Sequence, residues 1–196
     1  MESQEAKVPP KPQKKESFKR KIYDVYSKSM ITRKVRLPIN AIGSGLKETL
    51  EQKIAHDIEG KCIIEGFVKP NSTKIITYSS GKITEKNFIL FEVVIECDIC
   101  FPVEGMLIQC VAKNITKAGI RAEIPDENNI SPVVVFIARD HHYTSSYFSS
   151  INENDELNIR VIGQRFELND KYVSVIAEII EPKTSKKPKL VFKTDE

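Results

Sequence analysis

The chain has no run approaching the about 18 consecutive apolar residues that a membrane-spanning helix needs, although 40% of its residues are hydrophobic. Its N-terminal stretch is rich in lysine and proline where a signal peptide would carry an apolar segment. The expectation is a protein that is neither membrane-embedded nor secreted, and therefore intracellular. The sequence also lacks a glycine-rich phosphate loop, a nucleophile elbow and an HExxH pair, so it offers no reaction to assign and no cofactor to hold. It has one CxxC, Cys97-Asp98-Ile99-Cys100, without a second pair at finger spacing, and His141-His142 lie far along the chain. A zinc site would need long-range convergence, so the four cysteines, Cys62, Cys97, Cys100 and Cys110, are read as small buried hydrophobes in strands. His141 and His142 are read as surface residues at a strand end. No catalytic residue and no metal ligand is expected. A metal- or thiol-dependent enzyme is the least favoured reading.

Positive charge is scarce where a folded body would be. The net charge is +3, but residues 1–29 carry +4 and residues 182–196 carry +3, leaving −4 for the middle. A slightly acidic body cannot be a strong general binder of polyanions, because phosphate neutralisation supplies most of that affinity. Nucleic-acid binding by the folded part must be local, and the tails should supply much of any non-specific RNA affinity. Val8-Pro9-Pro10-Lys11-Pro12 and the lysine clusters around it bury too little to offset ordering entropy. Residues 1–28 are expected to form a disordered basic tail and residues 182–196 a second one, within which Leu190-Val191-Phe192 is the one segment apolar enough to dock.

Between the tails two folding units are legible. An extended run begins at Met30 with Ile31, Val35 and Leu37 and stops at Pro38. A helix follows over residues 44–58: Ser44 is a candidate N-cap, Leu46, Leu50, Ile54 and Ile58 recur every four residues, and Gly60 can close the end. Short β-rich runs at 62–68, 74–78 and 88–101 supply a sheet for that helix. The 88–97 run is so continuously apolar that it is expected to bury different faces along its length and bridge both units. Residues 29–102 therefore read as an α+β domain with one main helix on a small antiparallel sheet. From Gly105 onward the pattern is all β, with strands expected at 106–113, 118–124, 133–138, 157–166 and 171–180 and a polar, short-helical insertion at 143–150. Five strands with that interruption follow the plan of the OB barrel, which places an OB-fold domain at 103–181.

Strand parity then separates inside from outside. Ile120, Ala122 and Ile124 point inward against Arg121 and Glu123; Val133, Val135 and Ile137 inward against Val134 and Phe136. Leu157, Ile159 and Val161 oppose Asn158, Arg160 and Ile162; Val173, Val175, Ala177 and Ile179 oppose Tyr172, Ser174 and Ile176. Phe136, Tyr172, Arg121 and Arg160, with Lys113, Lys117 and Arg139 nearby, are the candidate RNA-binding set, offering π faces, guanidinium planes and cations for bases and phosphates. The alternative reading has Phe136 packing on the first domain and the charges as solvated surface.

The stretches Val111-Ala112-Lys113-Asn114-Ile115-Thr116-Lys117-Ala118-Gly119-Ile120-Arg121-Ala122-Glu123-Ile124, Val135-Phe136-Ile137-Ala138-Arg139 and Asn154-Asp155-Glu156-Leu157-Asn158-Ile159-Arg160-Val161-Ile162-Gly163 resemble the RNA-binding repeat named after the largest small-subunit ribosomal protein. With Ile58-Glu59-Gly60-Lys61-Cys62, Gly66-Phe67-Val68 and Phe101-Pro102-Val103-Glu104-Gly105 upstream, the chain resembles the stalk subunit of DNA-directed RNA polymerase over residues 29–181. That family comprises the seventh subunit of RNA polymerase II and its archaeal counterpart. The resemblance implies a non-catalytic stalk subunit. Its first domain docks on core RNA polymerase subunits, it pairs with a small helical stalk partner, and its barrel meets nascent single-stranded RNA. Nuclear location is implied for a cellular eukaryotic protein, and host cytoplasm or virion for a viral one. Arg121 stands where the family tends to have an aromatic, residues 79–85 are poorer in glycine than its docking loop, and the basic tails are foreign to it. These departures suit a divergent homologue such as one from a large DNA virus with its own polymerase. The alternative function is an OB-fold RNA-binding factor in translation or RNA decay, which would have no need of residues 30–102.

Overall fold

Two long strands set the frame. In the computed structural model, which describes residues 24–84, 87–124 and 131–181, β1 (Tyr26–Pro38) and β6 (Phe88–Cys100) pair antiparallel along their whole length, from Tyr26 opposite Cys100 to Pro38 opposite Phe88. Most of the expected N-terminal tail, all of the C-terminal one with Leu190-Val191-Phe192, and Lys86 lie outside the described residues. On the other edge of β6 three short strands follow one another: β3 (Gly66–Val68), β4 (Lys74–Tyr78) and β5 (Lys82–Thr84). β2 (Cys62–Ile63) pairs with β3.

The helix α1 (Leu46–Ile58) lies against one face of this sheet, burying Leu50, Ile54 and Ile58 beside Ile31, Val35, Leu37, Phe91, Val93, Ile95, Cys97 and Ile99. It begins later than the spacing predicts. Gly45 is the N-cap, no side chain caps it, and the Thr49 hydroxyl instead donates to the Gly45 carbonyl. At its other end Gly60 adopts φ of +69° and donates its N–H to Val68, a left-handed turn that glycine takes without strain. Two carboxylates join helix to sheet: Glu59 accepts from the backbone N–H groups of Asn71 and Thr73, and Glu51 from that of Ile75.

The expectation that the 88–97 run buries different faces is corrected. Phe91, Val93, Ile95, Cys97 and Ile99 alternate on one buried face. The run looks continuous because Leu90 and Val94 occupy the open face, where their cross-strand partners are Arg36 and Thr32. The strand reaches the second core only at its last residue, Cys100.

The second half closes into a five-stranded barrel. β7 (Leu107–Ile115), β8 (Gly119–Glu123) and β9 (Val133–Ala138) are consecutive antiparallel neighbours, β9 runs parallel to β11 (Val173–Ile179), and β10 (Glu156–Arg165) joins β11 back to β7. The inward set is the one parity predicts, including Ile120, Ala122, Val133, Val135, Ile137, Leu157, Ile159, Val161, Val173, Val175 and Ala177. Val134 keeps the outward register expected of it, opposite Glu123 and Ser174, yet is only 3% exposed.

Between β9 and β10 a 3-10 turn (Arg139–His141) leads to a short helix α2 (Ser146–Ser149), capped by the Ser145 hydroxyl accepting from the Phe148 N–H. Phe148 and Ile151 enter the barrel core. His142 is not a loose surface residue. Its Nδ1 lies 2.9 Å from the Ala138 carbonyl, its Nε2 accepts from the Ile179 N–H at 2.9 Å, and its ring stacks on Phe148. It thereby ties the insertion to β9 and β11.

The two halves share a seam. Cys62, Phe67 and Cys100 belong by sequence to the first half yet pack in the barrel core. The loop between β10 and β11 pairs with β2 through its backbone: Cys62 N–H donates to Asp170 at 2.7 Å and Asn169 N–H to Cys62 at 2.9 Å. Phe101 meets Phe166 edge to face at 6.1 Å.

Candidate nucleic-acid interface

The outward face of the barrel is built from cross-strand register. Gly119 opens β8 because a side chain there has no room: a Cβ would sit 2.1 Å from the Ile137 carbonyl oxygen on β9. That close approach holds the turn from Ile115 to Gly119 against the start of β9. Arg139, just past the end of β9, clasps the same turn, its guanidinium donating to the carbonyls of Lys117 and Thr116 at 3.0 and 3.2 Å while lying over the Phe148 ring.

On β7 the register slips between Ala112 and Asn114, leaving Lys113 as the extra residue of a bulge. Before the bulge Ala112 points inward opposite Ala122; after it Asn114 lies opposite Arg121 and Ile115 opposite Ile120. The bulge therefore turns Asn114 outward, against the parity of the strand that precedes it. Arg121 in turn lies opposite Phe136, and Phe136 opposite Ile176. Asn114, Arg121, Phe136 and Ile176 form one transverse row across β7, β8, β9 and β11. They line an open, mostly apolar cavity of about 420 Å³ that reaches up to the Thr116–Gly119 turn.

Among the described residues, Phe136, 44% exposed, borders a cavity lined by barrel residues rather than by the first half of the chain. Arg121 borders the same cavity but holds Glu123 at 2.8 Å. Lys113 and Lys117 are exposed at the bulge and in the turn. Arg139 is occupied by its clasp. Arg160 stands on the outer side of β10, two positions from the cavity along the neighbouring strand, and pairs with Glu178 at 2.8 Å. Tyr172, 43% exposed, immediately precedes β11, four residues before Ile176. The register thus brings Arg121 and Phe136 into one cavity, sets Lys113 and Lys117 beside it, and leaves Arg160 and Tyr172 on the flanks.

Two residues of the transverse row, Asn114 and Ile176, escaped the sequence-based set. Parity already put Ile176 outward, and only its aliphatic character kept it off. Asn114 had no such signal, because a bulge of one residue is invisible to periodicity.

The thiols lie elsewhere. Cys97 faces the sheet core and Cys100 the barrel core, so the CxxC pair points to opposite sides of β6. Burial pushes Cys100 and Cys110 up to about 12, and Cys62 and Cys97 up to about 11. Among the described residues no group of three His, Cys, Asp or Glu is placed to hold a metal ion, and no helix is long and apolar enough to cross a membrane.

No family model matches the chain. It is similar to a protein named as a DNA-directed RNA polymerase subunit of Acanthamoeba polyphaga mimivirus, 26% identical over 172 residues that cover 82% of this chain and 85% of the relative. It is also similar to DNA-directed RNA polymerase II subunit 7 of Arabidopsis thaliana, 28% identical over 70% of this chain and 84% of the relative. DNA-directed RNA polymerase II subunit RPB7 of Glycine max is 26% identical over 72% of this chain and 85% of the relative. The resemblance read from the motifs thus extends to named polymerase subunits, plant and viral.

Proposed function

From that similarity we propose that the chain is a subunit of a DNA-directed RNA polymerase, of the seventh-subunit type, acting inside the cell as a non-catalytic stalk component. The observation that carries the reading is the reach of the similarity: relatives named as polymerase subunits match 70% or more of the chain, so both halves are included. A free-standing RNA-binding factor of translation or decay would account for the barrel alone. The barrel's strand order, with its one parallel pair between the third and fifth strands and a short helix before the fourth, supports assignment to the OB class.

In this reading the two ends of the molecule have separate tasks. β6 runs 13 residues from Phe88 to the barrel at Cys100, a span of about 40 Å. At its far end Ile39, Ile83 and Phe88 are exposed apolar side chains, Ile83 at 80%. They are suited to dock on core polymerase subunits. Around the seam Ile64, Phe101, Val103 and Leu168 are exposed as well, which suits a small helical partner subunit crossing both halves. At the barrel, Phe136 offers a face for a base of single-stranded RNA, and Lys113 and Lys117 offer cations for its phosphates.

Because Cys62, Phe67 and Cys100 complete the barrel core, tests require the full chain. Ile83→Asp should lower co-purification with the polymerase about fivefold or more, as for an interface anchor, and leave RNA binding by the purified protein unaltered. Undiminished co-purification would remove this end of the sheet from the docking contact. Phe136→Ala should weaken binding of a single-stranded RNA by about 1–3 kcal/mol, read by fluorescence anisotropy. Unchanged affinity in a folded variant would reject stacking at this position.

A further inference from the structure

We propose, resting on the reading that this face binds single-stranded RNA, that the cavity takes one nucleobase and that Asn114 hydrogen-bonds its edge. The residues that border the cavity divide into a floor and a reader. Phe136 and Ile176 are adjacent across β9 and β11 and present ring and aliphatic surface, while Asn114 and Arg121 are adjacent across β7 and β8 at the other end of the same row. Strands are spaced about 4.8 Å apart, so the row spans roughly 14 Å, room for a purine and its sugar. The volume of about 420 Å³ lies within the range of small-ligand clefts.

The polar groups around this cavity are not equally free. Arg121 is held by Glu123 and Arg139 by the carbonyls of Thr116 and Lys117. The Asn114 side chain is exposed and makes no hydrogen bond among the described residues. A carboxamide presents a donor and an acceptor side by side. Adenine offers the matching acceptor N7 and donor N6–H on one edge, and on the open Watson–Crick edges of single-stranded RNA guanine offers O6 with N1–H and uracil O4 with N3–H, so the amide can hold any of these bases. The bases of single-stranded RNA are open to this kind of edge contact. Lys113, next to Asn114 in the bulge, and Lys117, in the turn above, stand exposed without an ion pair among the described residues. They supply positive charge for the phosphates on either side of an inserted base. An apolar peptide side chain would fill the floor but would use neither lysine nor amide.

The test uses the full chain and two fluorescently labelled octamers, an intact oligouridine and an abasic ribose-phosphate octamer, titrated by anisotropy. The wild type should bind the intact octamer about fivefold or more tighter than the abasic one, the lower end of what a bidentate base contact contributes. Asn114→Ala should weaken binding of the intact octamer about fivefold or more while changing affinity for the abasic one, which offers no base edge, by less than about twofold. Equal affinity of the wild type for the two octamers, or unchanged binding of the intact one by Asn114→Ala, overturns the assignment of Asn114 while RNA binding itself stands. If no octamer binds, whether or not an apolar peptide occupies the cavity, the RNA reading and this inference fall together.

Discussion

Phe67→Ala is expected to destabilise both halves of the chain at once, by about 3–5 kcal/mol, the cost of truncating a fully buried aromatic. Phe67 is a residue of the first half, set on β3 between Cys62 and Cys100 in the sheet, and it is 0% exposed. It belongs to the same hydrophobic core as the barrel residues Cys110, Leu157 and Ile159. The cavity left by its ring would open into the barrel interior and loosen the strand that receives the Asn169 and Asp170 backbone contacts. Urea unfolding followed by circular dichroism and by tyrosine fluorescence should shift in one concerted transition. A variant in which only the first half melts earlier, with the barrel transition in place, would contradict the shared seam.

Gly119→Ala should cost at least about 3 kcal/mol, at the upper end of local backbone strain and beyond ordinary surface substitutions. The added methyl group would lie 2.1 Å from the Ile137 carbonyl oxygen and 3.2 Å from the Ala138 Cα, both backbone atoms of a central barrel strand. Neither can rotate away, so β8 and β9 must separate at their first pair, Gly119 with Ala138. That movement displaces the turn clasped by Arg139 and the wall of the cavity, and RNA affinity should fall with stability. Gly163→Ala is the control. A Cβ there meets nothing within 4 Å, and its effect should stay within about 0.5 kcal/mol. Equal thermal midpoints for the two variants would show that the close approach at Gly119 can relax at no cost.

Much of the architecture was legible wherever one local period decided the outcome. Leu46, Leu50, Ile54 and Ile58 declare a helix with one apolar face because side chains four apart share a side, and the last three are buried. The barrel strands declare their inner faces by alternation, which is also why Arg121 and Phe136 were recognisable as outward before their positions were known. The helix start was less legible. Ser44 has the chemistry of a cap, yet the chain turns at Gly45, whose carbonyl accepts from the Thr49 hydroxyl instead.

What the sequence by itself determined about this protein is therefore its two-part plan, its helix, the two sides of its barrel strands and its resemblance to polymerase subunits, all of which depend on short-range periodicity or on ordered motifs. Only the tertiary structure decided which residues meet. The bulge at Lys113 turned Asn114 into the cavity, barrel closure set Ile176 beside Phe136, and the seam gave Phe67 and Cys100 to a core that follows them in the chain. The same packing made Arg139 and His142 ties within the barrel rather than free surface groups. Each of these depends on pairing between strands or loops distant in sequence. A residue's own pattern states which side of its strand it occupies, but not what stands opposite.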